Sequence, residues 1–146
     1  MRKIDEVEQA KALMAEAMEW SVMRWLREKK KVRKAADQAN AALDEMNRSV
    51  KESWSHELRA AYNEFGSTKG RSGANHSGQT AISPDTRETA RKVKEADDQA
   101  HEARMDAERT FDEAERLLST SLAREGCKKA IRSWDLHEKA IRRAES

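Results

Sequence analysis

The chain has 146 residues, enough for one domain, and 38% of them are charged against 37% hydrophobic, with a mean hydropathy of −1.03. Such a composition excludes a thick globular core, and no apolar run approaches the roughly 18 residues of a membrane span. Buried stripes are still possible, as in the long helices of bundles and coiled coils. Low hydropathy also marks disordered chains, but the formal net charge is only +2 and the apolar residues are periodic.

Residues 1–65 lack proline and glycine, the two residues that cost most inside a helix. Apolar positions such as Ile4, Val7, Met14, Met18, Trp25, Val32, Ala39, Leu43, Val50, Trp54, Leu58 and Phe65 recur mainly at steps of three and four. That spacing predicts one long helix with a single apolar face. Residues 66–83 hold four of the five glycines and several serines, so a flexible loop is expected there. Gly66-Ser67-Thr68-Lys69-Gly70 lacks the Gly-Lys-Ser/Thr ending of a phosphate loop, and no strand precedes it.

Ser83-Pro84-Asp85 reads as a helix start: a capping hydroxyl, a ring that fits the first helical position and an acid at the positive end of the dipole. A second long helix is therefore expected over 84–146. Val93, Ala96, Ala100, Ala107, Phe111, Ala114, Leu118, Leu122, Ile131, Trp134 and Ile141 mark its apolar face. Gly126 falls inside this pattern. It reads as a close-packing point against a bulky residue of the facing helix, the competing reading being a kink near 126. Residues 32–48 and 93–109 share a weak likeness, which alanine-rich helices acquire readily by composition.

Together these features predict an all-α fold. Its form would be a long antiparallel two-helix hairpin, coiled-coil-like, completed by self-association into a helical bundle. Folding the chain about the loop brings Trp54 to Ala96, Ala39 to Phe111, Trp20 to Ala130 and Trp25 near Gly126, large against small.

Two surfaces carry the functional expectation. Leu13, Met14, Met18, Trp20, Val22, Met23, Trp25 and Leu26 cover more of the helix circumference than a two-helix seam can bury. They form the expected surface for a second copy, as a homodimer, or for another helical protein. A basic band follows: Arg27, Lys29, Lys30, Lys31, Arg33 and Lys34, joined across the hairpin by Lys128, Lys129 and Arg132. Its alternative use is binding nucleic acid or an anionic membrane. Residues 24–34 and 116–132 carry an excess of base, and residues 35–57 and 95–115 an excess of acid, so the rod should be dipolar.

The sequence points away from an enzyme. His56, His76, His101 and His137 are scattered. Asp98 and His101 share a face, but without the further Glu-x-x-His partners of a carboxylate-bridged metal site. No cofactor, metal or small-molecule substrate is expected. Cys127 is the one cysteine, which excludes an intrachain disulfide and fits a reducing compartment. No secretory h-region opens the chain, so the expected location is the cytoplasm, with the nucleus as the other option.

Overall fold

The computed structural model describes residues 3–66 and 82–145, and these are helical throughout apart from short connections, with no strand among them. The helices are α1 (Lys3–Ala17), α2 (Val22–Glu52), α3 (His56–Gly66), α4 (Pro84–Leu117) and α5 (Thr120–Glu145). The expected loop at 66–83 lies, for residues 67–81, outside the described part.

The all-α expectation holds, while the two unbroken helices do not. The first is interrupted at residues 18–21 and 53–55, the second at 118–119. Each new helix begins at a serine whose hydroxyl accepts from the amide three residues on. Arg24 N–H reaches Ser21 Oγ at 3.2 Å, Leu58 N–H reaches Ser55 Oγ at 3.1 Å, Thr86 N–H reaches Ser83 Oγ at 3.2 Å and Leu122 N–H reaches Ser119 Oγ at 3.1 Å. A helix start leaves its first amides without carbonyl partners, and a serine hydroxyl satisfies one of them.

The turn at 118–119 is closed from both sides. Leu118 is left-handed, at φ 52° and ψ 43°, while Ser119 N–H bonds Ala114 O at 2.9 Å. The same carbonyl also accepts from the Leu118 N–H, so the last turn of α4 is closed by two backbone bonds to Ala114 O. Leucine is strained in this conformation because its Cβ crowds the backbone, whereas glycine is not. Leu118 is also 75% exposed and contributes little burial. Leu118→Gly is therefore expected to raise stability by about 1 kcal/mol. Urea unfolding of the two proteins checks this, and a lower midpoint for the variant would contradict it.

One core runs through α1, α2, α4 and α5. The most extensive packing is between α4 and α5, whose buried residues there are mostly small: Ala107, Thr110 and Ala114 on one side, Ala123, Gly126, Cys127, Ala130 and Ser133 on the other. Small side chains let two helices approach closely, and Phe111 then fills the space over Gly126. Helix α5 also packs on α2 and on α1, and α3 lies against α4. Ion pairs fasten the seams: Lys11 to Asp135 at 2.7 Å and Glu138 at 3.0 Å, Arg33 to Asp112 at 3.1 Å, Arg104 to Asp44 at 3.0 Å. Burial works against the Lys11 charge, yet its hydrogen bonds to Asp135 and Glu138 hold its pKa above the ordinary lysine value.

The finer register departs from expectation. Gly126 lies inside an unbroken α5 and is a close-packing point, but against Phe111, which the expected register placed in the same helix and opposite Ala39, and not against Trp25; the break falls at 118–119. Trp54 turns to the far end of the bundle, where its indole N–H donates to Ala144 O at 2.9 Å and its ring meets Tyr62 edge-on.

Candidate interaction surface

The wide apolar arc at 13–26 divides in two. Met14, Trp20 and Trp25 are buried in the chain's own core, and Leu13 and Met18 pack partly buried against it. These five are core, because the break at 18–21 folds α1 back onto α2 and α5 and so covers the arc from within. Val22 (54% exposed), Met23 (70%) and Leu26 (55%) stay at the surface.

They are joined there by two residues outside the expected surface, Leu117 (52%) and Leu118 (75%) at the α4–α5 turn. Leu26 and Leu118 both line a small open groove, together with Trp25, Phe111, Ala114 and Ala123. Trp20 and Trp25 meet edge-on below it, with ring centres 5.5 Å apart. The Trp25 indole N–H is buried with no hydrogen-bond acceptor. Lys29, Arg33 and Glu115 supply the groove's charge.

The basic band is only partly free. Arg33 is held by Asp112 and by Glu115 at 3.5 Å, and Lys129 by Asp106 at 3.3 Å. Arg27 and Lys31 approach Glu28 at 3.6 and 3.2 Å, and the Lys31 hydrogen bond leads in lowering the Glu28 pKa. Lys29, Lys30, Lys34, Lys128 and Arg132 form no ion pair among the described residues. The dipolar layout is correspondingly blunted. Asp112 and Glu115, counted with the acidic half in the sequence, lie beside Arg33 of the basic half.

A second cluster escaped the sequence reading. Tyr62 on α3 donates its hydroxyl proton to Asp97 Oδ2 at 2.5 Å, and Lys51 Nζ lies 2.5 Å from the same oxygen and 3.2 Å from the Tyr62 hydroxyl. The Lys51 ammonium also stands 4.4 Å from the Tyr62 ring centre. Burial, then the Asp97 hydrogen bond, pushes the Tyr62 pKa upward, so the phenol keeps its proton rather than acting as a base. The cluster fastens α3 to α2 and α4. Its members come from three helices, and only tertiary packing brings them together.

Of the remaining reactive side chains, Cys127 is buried and His137 partly buried, while His56 and His101 are exposed. Burial pushes the Cys127 thiol up to about 12. A disulfide reagent at pH 8 is expected to leave the native protein unlabelled and to titrate one thiol after denaturation. Native labelling within seconds of mixing would contradict that. His137 is held below the usual histidine range by burial first and by Arg104 second. Among the described residues no group of three or more His, Cys, Asp or Glu side chains is placed to hold a metal ion, and no helix is long and apolar enough to cross a membrane.

No family model, curated protein or solved structure matches this chain.

Proposed function

We propose that the protein is a non-enzymatic interaction module that self-associates through the apolar end formed by Val22, Met23, Leu26, Leu117 and Leu118. The observation that supports this reading is that Leu26 and Leu118 line one groove, with Val22 and Met23 exposed on the same turn of α2 as Leu26 and Leu117 exposed next to Leu118. Scattered exposed leucines are ordinary, whereas a contiguous apolar patch with a polar rim is the usual mark of an interface. The core closes within one chain, so association is not needed to complete the fold.

Trp20 and Trp25 are core residues whose loss would destabilise the fold, which makes Met23 and Leu26 the informative positions. The double variant Met23→Ser/Leu26→Ser is expected to stay folded and to lower the mass measured by light scattering at tens of micromolar. A wild-type chain that is monomeric at that concentration would sink the proposal.

A second reading is binding of nucleic acid or an anionic membrane by the basic band. Its support is that Lys29, Lys30, Lys34, Lys128 and Arg132 lack ion-pair partners among the described residues. Binding of that kind falls steeply with salt through counterion release. RNA, DNA or liposome binding unchanged in a Lys29→Gln/Lys30→Gln/Lys34→Gln variant would exclude it.

A further inference from the structure

The groove is ill suited to a second groove. Lys29 lines it, Lys30 and Lys34 follow along α2, and none of the three has an ion-pair partner among the described residues. Two such ends set face to face bring like charges together, which opposes association. A complementary surface would be apolar at its centre, with carboxylates beside it that are free to pair.

Helix α4 presents such a surface. Among the described residues the exposed large apolar side chains apart from Val22, Met23, Leu26, Leu117 and Leu118 are Phe65 and Met105. Met105 is 38% exposed and is flanked at three residues on either side by Glu102 and Glu108. Residues three or four apart are neighbours on a helix surface, so the two carboxylates stand beside the methionine, as does Arg109, which is paired with Asp106 at 3.8 Å. Neither glutamate forms an ion pair among the described residues. Methionine is unbranched and adapts readily to an irregular apolar groove.

We propose that the groove of one copy takes the Met105 face of α4 from a second copy. Lys29 and Lys30 then meet Glu102 and Glu108 of the copy that docks. This rests on the self-association reading and names the surface that answers the groove. The two surfaces do not overlap on one molecule: Met105 and Leu117 are twelve residues apart on α4, roughly 18 Å at 1.5 Å per residue. Two copies can make this contact twice about a two-fold axis, and where the geometry does not close that way repetition gives a larger ring or an open chain of copies.

The test uses the full-length chain in sedimentation velocity, with two variants that leave the core intact. Leu26→Ser/Leu118→Ser removes the groove's apolar rim. Glu102→Gln/Met105→Ser/Glu108→Gln removes the opposing face. Each variant alone is expected to associate at least about tenfold more weakly than the wild type. Mixed in equal amounts, they should form a one-to-one pair that grows no further, because each retains the half that the other has lost. A mixture that stays monomeric while the wild type associates overturns the pairing. So does a Met105 variant that assembles as well as the wild type, and this outcome leaves self-association itself standing. A monomeric wild type overturns both proposals together.

Discussion

Trp134→Ala is expected to destabilise the fold by about 3–5 kcal/mol, which is a large part of the roughly 5–15 kcal/mol that holds a domain together. Trp134 is 1% exposed and has the largest fully buried side chain among the described residues. Its indole N–H donates to Asn40 Oδ1 at 2.8 Å, tying α5 to α2. It lines a cleft together with the short side chains of Ala36, Ala107, Ala130 and Ser133 and the longer ones of Arg33, Arg104 and Phe111. Trp134→Phe keeps most of the buried area but strands the Asn40 carbonyl, so a smaller loss of about 1–2 kcal/mol is expected. Urea midpoints of the three proteins decide it. Equal losses from Phe and Ala would mean that packing volume is not what Trp134 supplies.

Gly126→Val is the second large effect. A Cβ built at Gly126 would stand 2.8 Å from Phe111 Cδ1 and 2.9 Å from Cε1. Phe111 is 5% exposed, and its ring is confined between α4, α5 and α2, with the Arg33 guanidinium 5.4 Å from its centre. Glycine inside a helix costs about 1 kcal/mol relative to alanine, so helix propensity favours replacement. Overpacking a filled core costs about 1–3 kcal/mol, and a branched side chain extends the clash past Cβ. The clash outweighs the gain, and a net loss of about 2 kcal/mol is expected. The contact also predicts coupling. Phe111→Ala should cost at least about 1 kcal/mol less in the Gly126→Val background than in the wild type. Additive losses from the two substitutions would show that the ring and the glycine do not share the space.

The helical class and the start of α4 were legible in the sequence because each had redundant signals. Ser83 was readable as a cap because Pro84 and Asp85 followed it. Ser21, Ser55 and Ser119 cap their helices with the same bond, but no proline or glycine accompanies them and the apolar period passes through without interruption. Serines such as Ser133 lie inside helices, so the residue type alone does not mark a break. Leu118 shows the same difficulty: the left-handed conformation that ends α4 is one that leucine seldom adopts, and it is stabilised here by the contacts of the turn.

The candidate surface was half legible for the same reason. The wide apolar arc of residues 13–26 assumes a continuous helix, and the break at 18–21 divides those residues between α1, the turn and α2. Whether a second segment of the same chain or another molecule covers that arc depends on the break at 18–21. With the chain turned there, Met14, Trp20 and Trp25 belong to the core and only Val22, Met23 and Leu26 remain outside. Leu117 and Leu118 joined them unannounced, since a continuous helix would have put Leu118 in the seam. The Lys51–Tyr62–Asp97 cluster needed three helices in place before any part of it could be recognised.

The central claim is that the core closes within one chain, leaving the α2 and α4–α5 corner as the apolar face open to a partner. Small-angle X-ray scattering from a dilute solution tests it most directly. The longest helix, α4, has 34 residues and extends about 51 Å. A bundle of that length should give a radius of gyration a few Å above the ~15 Å of a compact chain of this size. A hairpin of two unbroken helices of about 60 residues each would be a rod roughly 90 Å long, and a scattering profile of that length would contradict the account.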